Sequence, residues 1–271
     1  MGRSHASSPT GPRGGEPTAE PHDTLPPAGR RPGIGVGLDL RNLVEHPLDC
    51  LRLLLTADVL RRLNDHLTGG RASVAVLGRG GPPEGGWQDL LDPLHLGAAT
   101  WCTTAQQQSA ALAGSPVVLL VSTRPGHPVN ATCASRALPV GAVLAEDTER
   151  DLNDLLRRND PLAVRLALLR TSPSSPVVLS AARLRRADET LYRWRCKVAA
   201  WRDAVPAPTD HLGTLYDVLL RGLDTGAVLR LMHHIERDHT IASGAKYRTF
   251  IAVDKVLALD VTRRPVATAA W

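Results

Sequence analysis

The chain has 271 residues, 43% hydrophobic and 22% charged, enough apolar material for one large core or two small ones. No apolar run approaches the roughly 18 residues that span a bilayer, and no apolar segment follows the early Arg and Ser residues to form a signal peptide, so membrane insertion and secretion are not expected. A formal charge of +5 suits a polyanion such as RNA, whose affinity is dominated by phosphate contacts, and the basic surplus is spread out rather than gathered in one block.

The four cysteines, Cys50, Cys102, Cys133 and Cys196, are widely separated, with no C-x-x-C pair and no histidine at zinc-ligand spacing. That pattern predicts reduced thiols in a cytoplasmic protein and no bound zinc.

Residues 1–32 are Gly, Pro, Ser, Thr and Arg with almost nothing to bury, so a disordered tail is predicted. Gly33 to Leu38 reads as a short buried strand. Asp49 to Leu67 carries Leu51, Leu54, Leu55, Val59, Leu60 and Leu63 at helical spacing. Ser73 to Leu77 reads as a second strand, ending in the loop Gly78 to Gly86. Strand, helix, strand opens a parallel α/β sheet, and apolar runs at Pro116 to Val121 and Val140 to Leu144 supply two more strands. The loop could cradle a phosphate through backbone N–H groups, but it has no following Lys-Ser/Thr pair and two of its residues are prolines; a surface loop is the better account.

Beyond Glu146 the periodicity is helical. Asn159, Asp160 and Pro161 combine a cap with proline at the first helical position of Pro161 to Leu169. Ser180 caps a long helix whose apolar positions are Leu184, Ala187, Leu191, Trp194, Val198 and Trp201, so both tryptophans pack. Its other faces carry Arg186, Arg193, Arg195, Lys197 and Arg202, candidate RNA-binding cations set against the ordinary solvated face of a bundle helix. Leu212 to Leu220, Thr225 to Glu236 and Ala245 to Leu259 complete a helical bundle. His233, His234 and His239 with Glu236 and Asp238 are the densest titratable cluster, but His239 does not share the face of His233 and Glu236, and a solvated helix end is the reading.

DPLAVRLALL at residues 160–169, LLRGLDTGAVL at 219–229, and Lys246 to Phe250 followed by Asp254 to Asp260 stand in order within residues 151–261. They resemble the segment after the KMSKS loop of class I aminoacyl-tRNA synthetases, cysteinyl-tRNA synthetases above all. The resemblance implies a reduced Rossmann-like (HUP-type) parallel sheet domain over 33–150 and an α-helical bundle over 151–271. It also implies ATP as the cofactor and tRNA, aminoacyl-tRNA or a protein as partner.

Earlier, Asp58 to Leu63 resembles the end of the helix that starts at the family's HIGH signature. Counting back places that signature at Pro47 to Cys50, with His46 one position too early. Every lysine, Lys197, Lys246 and Lys255, lies late, so the nearest analogue of KMSKS is Thr132 to Arg136. The family's zinc ligands have no counterpart.

Asp39, Asp58 and Arg136 are the positions the resemblance assigns to a nucleotide pocket. The chain thus reads as a shortened, degenerate paralogue that binds tRNA, aminoacyl-tRNA or a protein without standard aminoacylation. The alternatives are an ATP- or aminoacyl-tRNA-dependent ligase in a specialised pathway, and cysteine–tRNA ligation itself.

Overall fold

A computed structural model describes residues 33–41, 43, 45–79, 92–124, 136–145 and 152–265. The predicted tail, the glycine-rich loop from residue 80 onward, Cys133 and residues 132–135 of the KMSKS analogue lie outside the described residues.

Five short strands, β1 (Gly35–Asp39), β2 (Ser73–Leu77), β3 (Thr100–Cys102), β4 (Val117–Ser122) and β5 (Arg136–Val140), run parallel in the order β3-β2-β1-β4-β5. This is a Rossmann-like α/β arrangement. Central strands of a parallel sheet are covered on both faces and so read as continuous apolar runs; Val36, Leu38, Val76 and Leu120 are accordingly buried.

Helix α1 (Pro47–Thr68) links β1 to β2, with Pro47 opening it and Gly69 closing it in the left-handed conformation. Its first three turns are buried all round because α1 lies between the sheet and α8 (Ser243–Leu257). Asp49, Arg52 and Asp58 are buried with it and must find partners there.

The predicted strand Val140 to Leu144 is corrected. Residues 136–140 form β5, and Val143–Ala145 (β6) leaves the main sheet to pair with β7 (Val177–Leu179). The break falls at Gly141, whose N–H donates to the Pro173 carbonyl at 2.7 Å. A Cβ there would stand 2.2 Å from the Ser175 carbonyl oxygen, so only glycine lets the 172–176 segment cross so closely. Strand β5 is an edge, which is why Pro139, with no N–H to give, is tolerated within it. Strands β3 and β7, three residues each, and α2 (Ala105–Ala111) were not expected; they are too short for a periodic signal.

The remaining helices are α3 (Leu152–Arg158), α4 (Pro161–Leu169), α5 (Ala181–Trp201), α6 (His211–Gly222) and α7 (Thr225–Arg237). The predicted caps form: the Asp160 side chain accepts from Leu162 N–H and Ser180 from Arg183 N–H. The apolar stripe of α5 is buried along its whole length. Trp194 and Trp201 each meet Phe250 of α8 edge-on, at 5.5 and 5.4 Å. One apolar cluster runs from Val36 and Leu38 of the sheet through α1 to Trp194 and Val256, while a smaller one around Ala75, Cys102 and Leu112 covers the other face. Among the described residues, no helix is long and apolar enough to cross a membrane.

Candidate functional site

In a sheet of this order the chain moves outward from β1 through β2 to β3, then returns to the other side of β1 for β4 and β5. The crevice beyond the carboxyl ends of β1 and β4 is where such folds take ligands. Asp39 ends β1 there, Ser122 ends β4, and α1 starts between them. A cavity of about 390 Å³ opens at this place, lined by Glu45, His46, Asp49, Arg124, Val143 and Leu144 among others. Its size fits a small organic molecule.

Two of the charges at the cavity, Asp49 and Arg124, are committed to each other. The Asp49 carboxylate, buried in the first turn of α1, is ion-paired with Arg124 Nε and accepts the Val143 N–H at 2.6 Å. Arg124 Nη2 also donates to the Val143 carbonyl at 3.0 Å, and Ser122 Oγ accepts the Arg124 N–H at 3.2 Å. Next to Asp49, burial and that carboxylate push the Cys50 thiol up to about 12. Its Sγ–H donates to the Leu43 carbonyl at 3.3 Å, so it is a protonated core thiol and no nucleophile.

The three residues assigned to a nucleotide pocket do not converge. Asp39 is at the crevice, but both its oxygens hold Arg41, at 3.0 and 2.7 Å. Asp58 lies three turns into α1, where it accepts from Arg165 Nη2 and Arg61 Nη2 at 2.7 Å, Arg62 Nε at 2.8 Å and Gly97 N–H at 3.1 Å. Burial alone would raise the Asp58 carboxyl, yet Arg165, Arg62 and Arg61 hold it below its ordinary value. It is a structural anchor, because Arg165, with no exposed surface, also donates to the carbonyls of Leu257 and Leu94 and so ties α1, α4 and α8 together. Arg136 begins β5 at the level of Val36, two strands away and three residues (about 10 Å along a strand) short of Asp39. It faces the groove of Leu60, Leu138 and Leu219 at the opposite end of the sheet from the crevice.

The RNA-binding set also divides. Arg195 is buried and structural, donating to Asp160 at 3.1 Å and to the carbonyls of Asp260 and Leu259. Arg193 is held by Glu236 at 2.7 Å; Trp194 Nε1 donates to the same carboxylate at 2.9 Å. Arg186, Lys197 and Arg202 are exposed. On a 3.6-residue helix Arg186, Arg193 and Lys197, at i, i+7 and i+11, share one flank of α5, while Arg202 falls on the other side.

Sequence reasoning missed Asp49, Arg124 and Arg165. Only Arg165 had a legible signal: one charge in an otherwise apolar nine-residue helix must be buried, and a buried charge needs a partner. Within the described residues no three His, Cys, Asp or Glu side chains gather as a metal site would require; His233 Nδ1 instead lies 3.5 Å from Glu236. No protein-family model matches the chain, and no curated protein matches it.

Proposed function

We propose that this chain is a cysteinyl-tRNA synthetase-like protein, a reduced HUP-type domain joined to a helical bundle, that binds tRNA or aminoacyl-tRNA without standard aminoacylation. The observation that carries this reading is Asp49. It occupies the stretch, Pro47 to Cys50, where the resemblance requires groups that neutralise ATP phosphates. A carboxylate there brings negative charge where positive charge is required, and neutralising it consumes the nearby cation. Arg124, the cation beside it, already serves that carboxylate. Exposed Arg186, Lys197 and Arg202 meanwhile offer charge to a polyanion.

Calorimetry with ATP, alone and with cysteine and bulk tRNA, tests the reading, together with pyrophosphate exchange and filter binding of tRNA at several salt concentrations. The expected result is no ATP heat, no exchange, and tRNA binding that weakens steeply with salt. ATP binding with exchange would overturn it in favour of cysteine–tRNA ligation.

One observation favours the second reading, a ligase of a specialised pathway. Glu45, His46 and Arg124 converge on a cavity of small-molecule size. Turnover of an added amine acceptor with aminoacyl-tRNA, absent in His46→Ala, would establish that reading over a binding role.

A further inference from the structure

The carboxyl end of α4 is clamped from two sides. Arg183 of α5 donates to the Ala167 carbonyl at 3.0 Å and to Thr171 Oγ1 at 2.5 Å, and Thr225 Oγ1 of α7 donates to the Leu169 carbonyl at 2.7 Å. Gly226 presses so near that a Cβ on it would stand 2.8 Å from the Arg170 carbonyl oxygen. The clamp fixes Arg170 where α4, α5 and α7 meet, with its Nη1 3.5 Å from the Arg186 carbonyl.

Arg170 and Arg183 are half-buried and Arg186 is exposed, and among the described residues none of the three has a carboxylate partner. Of the nearby acids, Glu236 holds Arg193 and Asp224 caps α7 through the Ala227 N–H, while exposed Glu189, one turn from Arg186 and from Arg193 on α5, is ion-paired with none of the three. Burial first, then Arg186 and Arg193, lowers the Arg170 guanidinium; burial and then Arg170 lowers that of Arg183. Guanidiniums do not escape by losing a proton, so the repulsion remains in the folded protein and an arriving anion relieves it. Arginine forks also match the paired oxygens of a phosphate.

We propose that Arg170, Arg183 and Arg186, at the junction of α4, α5 and α7, form a phosphodiester-binding site that seats the backbone of a structured RNA along the flank of α5. Beyond Arg193, which Glu236 holds, exposed Lys197 extends the positive charge along that flank, the direction a nucleic-acid strand would follow. This rests on the tRNA-binding reading and adds to it the residues that make the contact, one of them, Arg170, outside the helix whose basic faces are legible in the sequence.

The experiment is fluorescence anisotropy with labelled unfractionated tRNA at several salt concentrations on the full chain, alongside thermal melts. The double variant Arg170→Ala/Arg186→Ala is compared with Arg221→Ala/Arg263→Ala, which removes the same charge from exposed positions elsewhere. The site predicts a Kd raised about tenfold and a log–log salt slope reduced by about two in the first variant, with its Tm not lowered, and less than about a twofold change in Kd in the second. Arg170→Lys/Arg186→Lys, which keeps charge but not the fork, falls between them. Salt-sensitive tRNA binding that both alanine variants weaken equally would overturn the site and leave the RNA reading standing. If the unmodified chain binds no tRNA at all, the RNA reading fails and the site falls with it.

Discussion

Arg165 and Arg170 stand five residues apart, on α4 and just beyond its end, and the chain treats them in opposite ways. Arg165 is wholly buried and meets Asp58, which also collects Arg61 and Arg62, with Asp65 taking a second hydrogen of Arg61; the cluster locks α1 to α4. Arg170 is half-buried among Arg183 and Arg186, and among the described residues no carboxylate is ion-paired with it. What distinguishes an architectural arginine from an available one here is the presence of a carboxylate, not the depth of the guanidinium. Arg52 qualifies the rule: burial and Arg183 lower it to about 10, yet it is structural, because the carbonyls of Gly141, Ala142 and Ser172 take its hydrogens.

The largest effect belongs to the paired cluster. Asp58→Ala leaves Arg165 buried without its counter-charge, and removal of one partner of a buried pair costs about 3–5 kcal/mol. Urea unfolding should show a midpoint lowered accordingly, or no folded protein at all. Asp58→Leu/Arg165→Met, which removes both charges, should recover much of the loss. A cost under about 1 kcal/mol for Asp58→Ala would mean that the carbonyls of Leu257 and Leu94 suffice for Arg165, and the contrast with Arg170 would collapse.

Glu236 extends the paired class to α5 and α7 with a smaller effect. Burial would raise this carboxyl, but hydrogen bonds from His233, Arg193 and Trp194 bring it down to about 2 from an ordinary 4.5. Its folded-state value is depressed, so the stabilisation is present above pH 4.5 and is lost as pH falls toward 2. Since Arg193 is partly exposed, the contribution is about 1–2 kcal/mol. Chemical denaturation of the unmodified chain and Glu236→Gln should differ by that amount at pH 7, and the difference should shrink steadily as pH falls from 4.5 toward 2. A difference unchanged across that range would assign the loss to packing rather than to charge.

The paired cluster was partly legible in the sequence and the unpaired one hardly at all. Periodicity located α1, β2, α4 and the buried stripe of α5 because one face of each must be covered, and the caps at Asp160 and Ser180 are local chemistry. Strand β5 was misplaced because an edge strand with Arg136 and Pro139 lacks an apolar run. The crevice pair of Asp49 and Arg124, 75 positions apart, is set by strand order, which no local pattern encodes. For the same reason Asp39, Asp58 and Arg136, assigned to one pocket by resemblance, lie in three places. The basic face of α5 lost Arg195 to the interior, and it gained Arg170 from a neighbouring helix whose position only the packing decides.

The smallest expected effect carries the sharpest contrast. Arg170→Ala removes a guanidinium whose one side-chain hydrogen bond among the described residues is a 3.5 Å contact with the Arg186 carbonyl, while relieving repulsion from Arg186 and Arg193. The two contributions oppose each other, so stability should change by no more than about 0.5 kcal/mol, with the sign favouring the variant at low salt, where like charges are least screened. Arg183→Ala is the internal reference. It loses two good hydrogen bonds to the end of α4 and should cost about 1 kcal/mol more than Arg170→Ala, at any salt concentration. Melts of the two variants at low and high salt separate the roles: Arg183, which clamps the end of α4 as well as lining the anion site, lowers Tm when removed, and Arg170, which only lines the site, does not. If Arg170→Ala lowered Tm as far as Arg183→Ala does, Arg170 would join Arg165 among the architectural arginines.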